Sequence, residues 1–362
     1  MNKKHYIIPI FVPHEGCPHN CVFCNQNAIT GNVIEVDEKY VEDIINTYLD
    51  TIDTNNSIIE VSFFGGTFTA IDINKQRKLL SVAKKYKDMG RIQYIRLSTR
   101  PDYIDSTILD NLKKYSVDII ELGVQSMDDE VLKHSGRGHT EDDVIRASQL
   151  IKEYGFTLGH QIMLGLPRDS FKKDIETTKK IINLKPELCR IYPSLVVKNT
   201  PMEIMYRDKT YIPYTLEEGV EISKIIYGML LANGINVIRV GLQPTEEINV
   251  GKEIVEGPFH PAFRELVESS ILNDMIYEFL LDKKVFSIKI AINNKSLSKL
   301  YSNKKQYYKD ILNKLELPTM QVITDESLDK DTLKIWLNGE EHSMSITTYI
   351  WQKYKEGNFR NL

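Results

Sequence analysis

The sequence predicts an α/β chain, a partial (β/α)6 barrel followed by a small α+β domain. Three observations carry this. Short, β-branched apolar runs alternate with longer helix-compatible stretches, the pattern of parallel strands buried between helices. Six such units precede residue 245, too few to close an eight-stranded barrel. Glycine-bearing and polar motifs fall at the ends of the apolar runs, where ligands gather in parallel α/β architectures.

In chain order, the strand-like runs are His5–Val12, Ile58–Phe64, Tyr94–Thr99, Ile119–Val124, Thr157–Met163 and Leu188–Pro193. The helix-compatible segments after them are Val41–Ile52, Lys75–Lys87, Ser106–Lys114, Asp142–Tyr154, Phe171–Asn183 and Leu216–Asn233. Thr140 followed by Asp143 resembles an N-terminal capping box and predicts a helix starting there. Gly257-Pro258 and Pro261 mark a domain edge. Beyond it, Ala262–Leu281 is helix-like, Val285–Ile292 strand-like, Ser296–Leu300 and Tyr307–Leu315 helical, and Met320–Thr324 and Thr332–Leu337 strand-like. The expected division is a core of residues 1–245 and an accessory domain of residues 257–362.

Composition excludes several classes. Hydrophobic residues make up 42% and charged residues 27% of 362, enough to bury a large core. A formal net charge of −4 argues against a chain basic throughout. No apolar run approaches the ~20 residues that span a bilayer, and Met1-Asn-Lys-Lys leads straight into the first strand. A cytoplasmic protein with no membrane partner is expected.

The chemistry is concentrated in Cys17, Cys21 and Cys24, a C-x3-C-x2-C run that holds three of the four cysteines. Thiolates so placed can hold three irons of a [4Fe–4S] cluster and leave the fourth without a cysteine. An open position is what separates a chemical metal site from a structural one. A structural zinc site completed by His14 or His19, or a set of inert thiols, stays open on the motif alone. A disulfide is not expected with so few cysteines and no secretory signal. Cys189, in an apolar context, reads as a small core residue.

The motifs at the strand ends are Gly65-Gly66-Thr67, Ser98-Thr-Arg-Pro-Asp102, Gly123-Val-Gln-Ser126, and Gln161 through Gly165-Leu-Pro167. Together with the cysteine loop after the first strand, they resemble the radical S-adenosylmethionine (radical SAM) superfamily, whose core is a TIM-like partial barrel. Within it, Phe64-Gly-Gly-Thr-Phe68, Thr99-Arg-Pro-Asp102, Glu121-Leu-Gly-Val-Gln-Ser126 and Arg137-Gly-His-Thr140 look like the relatives of the Elongator catalytic subunit. Gly165-Leu-Pro167 and the Arg-Gly-His-Thr string also resemble oxygen-independent coproporphyrinogen oxidases.

The resemblance implies that Cys17, Cys21 and Cys24 ligate the cluster and that SAM chelates the open iron. It implies that Gly65, Gly66 and Thr67 receive the SAM amino group through backbone, and that Phe23 contacts adenine. Ser98 and Arg100 fall where the ribose and carboxylate of SAM are held. Gln125 and Arg137 match SAM-contacting positions, and Gln161 stands where a ribose-binding Asp is found. The implied reaction is reductive cleavage of SAM to a 5′-deoxyadenosyl radical, with electrons from a reductant such as flavodoxin or ferredoxin. No side chain is singled out as catalytic.

Local readings stand beside these roles. Arg100 and Asp102 can form an ion pair within a Pro-containing turn. Arg137-Gly-His139 can be a turn before the capped helix, His139 and His160 hydrogen-bonded structural histidines, and Tyr192 core packing. Ser98 replaces a Glu associated with the Thr-Arg-Pro-Asp string. No glycine-rich acetyl-CoA loop or cysteine-rich zinc linker follows residue 250, so acetyl transfer is not expected from this sequence.

From Lys283 to Lys314 there are nine lysines and one acid, Asp310, interleaved with Tyr301, Tyr307 and Tyr308. Such a run can bind a phosphate backbone and stack on bases, or it can be a solvated face balanced by the acidic stretch Glu316–Glu341. RNA, specifically tRNA, is the expected substrate class. A porphyrinogen-like small molecule, and a non-catalytic iron–sulfur or zinc RNA-binding module, are the alternatives.

Overall fold

The computed structural model describes residues 3–12, 17, 19–25, 36–243 and 252–357. Gly16, Pro18, the possible zinc ligand His14 and residue 245, the expected end of the core, lie outside them.

The first half of the chain runs β1 (Lys4–Val12), α1 (Glu38–Leu49), β2 (Ser57–Gly65), α2 (Ile73–Asp88), β3 (Tyr94–Thr99), α3 (Ser106–Lys114) and β4 (Ile119–Gln125). It continues with α4 (Asp129–His134), α5 (Glu141–Glu153), β5 (Thr157–Leu164), α6 (Phe171–Leu184) and β6 (Leu188–Pro193). Then come β7 (Val196–Val197), α7 (Pro201–Arg207), α8 (Leu216–Ala232), β8 (Asn236–Val240) and β9 (Ile254–Glu256). Seven strands pair in parallel in the order β1-β2-β3-β4-β5-β6-β8, an open, curled half-barrel. The strands carry Ile8, Ile10, Val61, Phe63, Leu97, Leu122, Ile162 and Ile191 into a fully buried core, which is why they are apolar at nearly every position.

Every expected strand and helix of the barrel is present, with ends displaced by up to three residues. The displacement is largest at α1, where the Asp37 side chain accepts from the Tyr40 N–H and starts the helix earlier than its apolar stripe suggests. The capping box is formed: Thr140 and Asp143 satisfy each other's backbone N–H groups.

The elements α4, β7, β9 and α7 were not expected. The short helix α4 packs after β4, and β7 pairs with β9 to carry α7 over the barrel mouth. The start of α7 is written in Thr200-Pro201, since Thr200 caps the Glu203 N–H and Pro201 sits in the first turn.

After β9 come α9 (Phe263–Leu280), β10 (Ile288–Ile292), α10 (Leu297–Leu300), α11 (Ser302–Lys314), β11 (Gln321–Thr324), β12 (Thr332–Leu337), β13 (Glu340–Ser345) and α12 (Ile346–Lys355). Four strands form a second sheet in the order β11-β10-β12-β13. Strand β13 and helix α12 were not expected. They follow an Asn338-Gly339 turn in which both residues have positive φ, the two-residue hairpin connection.

The tyrosines of the basic run correct the expectation of free stacking rings. Tyr308 is buried and its hydroxyl donates to the Met320 carbonyl, while Tyr301 meets it edge to face at 5.1 Å. Tyr307 packs against the core, where burial pushes its hydroxyl pKa up to about 12. Lys299 is balanced by Glu268 of α9 at 2.9 Å rather than by the acidic stretch. Among the described residues no helix is long and apolar enough to cross a membrane.

Candidate active site

The carboxyl ends of β1 to β5 open onto one cavity. It is lined by Cys17, Cys21, Phe23, Cys24, Gly65, Gly66, Thr67, Ser98, Arg100, Gln125, Arg137 and Gln161, together with His19, Asn20, Thr99, Glu121 and Gly123. All twelve residues singled out in the sequence therefore meet at one place, brought together from five strand ends.

The backbone of the cysteine loop is pinned from three sides. The Cys24 N–H donates to the Cys21 carbonyl in a tight turn, and the Val22 N–H donates to the carbonyl of Ser135 beyond α4. The Val22 carbonyl accepts from the Met202 N–H of α7, and Asn25 Nδ2 donates to the Lys198 carbonyl at 3.0 Å. Val22 and Phe23 pack into a small apolar cluster with Val196, Met202 and Tyr211. The unexpected elements α4, β7 and α7 thus form the cradle of the cysteine loop.

The glycine turn is equally constrained. Gly65 has φ +112°, and a Cβ there would lie 2.6 Å from the Val12 carbonyl oxygen. The Gly66 N–H donates to that same oxygen at 2.9 Å. Only glycine lets β2 turn this tightly against the end of β1. The turn delivers Thr67, whose hydroxyl lies 3.4 Å from Cys17 Sγ.

Arg137 is a buried cation of the site. Its Nη1 donates to Cys21 Sγ at 3.3 Å and its Nη2 to the Gly123 carbonyl at 2.7 Å, while among the described residues Nε has no partner. Burial pushes its pKa down and Cys21 opposes that, yet a guanidinium stays charged in proteins. Arg100 is bidentate to Asp102, both contacts at 2.9 Å, and also donates to the Arg137 carbonyl. The local ion pair anticipated from sequence is real, and it fixes Arg137 rather than lying idle at the surface.

Gln125 sits at φ +66° where the β4–β5 register slips, a bulge that turns its amide into the cavity beside Gln161 Nε2 at 3.4 Å. His139 Nε2 donates to the Val124 carbonyl, and burial lowers its pKa to about 3. His160 is bonded to Ser148 at 2.9 Å and is likewise lowered to about 3 by burial. Both are neutral structural histidines. Burial pushes the Cys189 thiol up to about 12, so it stays an inert core residue.

The sequence reading missed Glu121. Its Oε1 accepts from Arg96 Nη1 and Arg190 Nε, both at 2.9 Å, and its Oε2 accepts from Ser98 Oγ at 3.3 Å. Arg96 is held in turn by Glu60 of β2. Two carboxylates and two guanidiniums thus balance across β2, β3, β4 and β6 inside the barrel. The signal was available: each is a charged residue at an inward position of an otherwise apolar strand.

The radical SAM superfamily model matches residues 11–181, and the radical SAM C-terminal domain model matches residues 186–273. The chain belongs to the radical SAM superfamily. A tRNA uridine(34) acetyltransferase of Methanocaldococcus jannaschii is 28% identical over 257 residues, which is 60% of this chain and 47% of that protein. An uncharacterised protein of the same organism is 31% identical over 233 residues, 62% of this chain and 70% of its own length. The solved structure of the archaeal Elp3 of Methanocaldococcus infernus superposes with TM-score 0.58 at 22% identity, covering 77% of this chain and 63% of that one, which shows a shared fold. The chain spans less than half the length of the tRNA uridine(34) acetyltransferases it matches.

Radical SAM enzymes carry a [4Fe–4S] cluster and SAM, which together supply reductive cleavage to a 5′-deoxyadenosyl radical. The residues present fit that pair. A cluster takes one thiolate per iron, so its cysteines must line a cavity rather than meet at one point. Among the described residues no three His, Cys, Asp or Glu side chains converge on a single metal ion, and His19 packs on Gly138 at the rim. The unpartnered Nε of Arg137, a guanidinium deep in the cavity wall, suits a ligand carboxylate. Cys17, Cys21 and Cys24 would hold the cluster, and the Gly65–Thr67 turn, Gln125 and Gln161 would offer hydrogen-bonding groups to SAM. Glu121 and the arginines about it form a charged, mutually bonded floor to the cavity.

Proposed function

We propose that this radical SAM enzyme acts on RNA, with tRNA as its substrate class, and that the twelve lining residues hold its cluster and SAM in the roles assigned above. The observation that carries the site is the convergence of all twelve on one cavity at the strand ends. The substrate class is supported by the match to tRNA uridine(34) acetyltransferases and by the lysine-rich run Lys283–Lys314. A barrel unit of residues 1–245 and an accessory unit of residues 257–362 complete the proposal, supported by a second sheet built wholly from residues after 287. A flavodoxin or ferredoxin is the proposed electron donor.

Anaerobically reconstituted protein is expected to carry about four irons and four sulfides per chain. Its visible absorption should vanish in Cys21→Ala. With SAM and a strong reductant it should release 5′-deoxyadenosine, and Cys24→Ala should not. Nucleoside mass spectrometry of tRNA from a strain lacking the gene should show a modified nucleoside lost. An unaltered tRNA pool would transfer the assignment to a small-molecule substrate.

A further inference from the structure

Phe286 is the most exposed large hydrophobic residue among those described, with 84% of its surface open to solvent. An isolated exposed ring is ordinarily unremarked, but this one stands on a fixed backbone. Asn338 Oδ1 accepts from the N–H of Phe286 at 2.8 Å and from that of Ser287 at 3.1 Å. Asn338 Nδ2 donates to the Lys284 carbonyl at 2.7 Å, and its own N–H donates to the Ser287 carbonyl. The β12–β13 turn therefore clasps residues 284–287, and the ordering of this segment has already been met by folding.

The surroundings are cationic. Lys283 and Lys284 are exposed immediately before the ring, with Lys283 Nζ 3.4 Å from the Phe279 ring centroid. Lys289 lies over Trp336 at 5.2 Å on the adjoining strands. Asp282 and Glu340 are the acids at this corner, and Glu341 beyond them is neutralised by Lys334 at 2.9 Å. Tyr307 and Tyr308 of the same run are packed inside. Phe286 is thus the most exposed ring of this basic segment among the described residues.

Resting on the RNA reading above, we propose that the Phe286 corner is an RNA-binding surface. The ring stacks on an unpaired base, and Lys283, Lys284 and Lys289 meet the neighbouring phosphates. Every base has a π-face, so such a platform selects unpaired over paired RNA without reading sequence.

The test uses the full chain, total tRNA, and a labelled RNA stem–loop beside a blunt duplex of equal length. Phe286→Ala should weaken stem–loop binding by about 5- to 150-fold, leave duplex binding unchanged, and keep the salt dependence. Phe286→Trp should restore affinity. The Lys283→Ala/Lys284→Ala double variant should lower the slope of log affinity against log salt by about 1.4. Thermal unfolding of the variants should match the parent, as the side chains are exposed.

If tRNA and the stem–loop bind Phe286→Ala as they bind the parent, this surface is wrong while the RNA reading stands. If the parent binds no RNA at all, both fall. A parent that self-associates and a Phe286→Ala chain that does not would make the corner a protein contact and overturn the inference.

Discussion

Glu121 holds two guanidiniums, the buried Arg96 and the half-buried Arg190, on one oxygen and turns the other toward Ser98 and the cavity. It also occupies the neighbourhood where Ser98 leaves the Thr-Arg-Pro-Asp string without its associated Glu. The network is balanced only as a set, so removing one charge exposes the others. Glu121→Gln should cost about 3 kcal/mol in urea unfolding, since Arg96 and Arg190 would face a neutral amide inside the barrel. An unchanged urea midpoint would mean that water already screens these groups. At the same scale, Arg137 came out of the sequence as a candidate through a motif, whereas its contact to Cys21 arises from a fold that brings two residues 116 positions apart into hydrogen-bond range.

At the scale of elements, the end of β2 is coupled to the cysteine loop through a single carbonyl. The Val12 oxygen at the end of β1 accepts from the Gly66 N–H and lies where a Cβ on Gly65 would intrude. Gly65→Ala should therefore lose more than ~1 kcal/mol of stability, from the positive φ together with the clash. It should also lower the iron retained after reconstitution, because β1 leads directly into the loop bearing Cys17. Full iron content with parental stability would refute that coupling. The helices α4 and α7 act on the other side of the same loop. Their short lengths give little periodicity, and for that reason neither was visible as an amphipathic pattern.

For the whole molecule, α8 is the joint. It is buried around nearly its full circumference from Val220 to Leu230, touching α6, β6 and β8 on the barrel side and α9 and α12 on the other. Gly219 lies so close to Pro258 that a Cβ would sit 2.4 Å from the proline ring. Ending the chain at residue 245 should strip one flank of α8 and leave apolar surface bare. That truncated chain should lose its cooperative thermal transition and bind a hydrophobic dye, even though every barrel strand is retained. A sharp transition near the parental temperature would show the barrel to be self-sufficient.

Strand–helix alternation, the capping box and the cysteine spacing are local features, and local chemistry is legible along a sequence. So the barrel and the cysteine site could be found from residues alone, and the cofactor class and the remaining lining residues from the family resemblance that the motifs carry. The Asn338-Gly339 hairpin was legible too, and went unread because Glu340–Ser345 alternates polar residues with little β propensity. What only the tertiary structure decided concerns which side chains are free. Tyr307 and Tyr308 share a lysine-rich run with Phe286, yet packing takes both tyrosines inward and leaves Phe286 outside. Arg100 reads in its motif as a cation of the cavity, and the fold also gives it Asp102 and the Arg137 carbonyl as partners. Glu121 looks like one more residue of a motif and joins Arg96 and Arg190 in a four-charge network with Glu60. Spacing states which groups a chain possesses. Burial and partnering are sums over residues distant in sequence, so they exist only once the chain has folded.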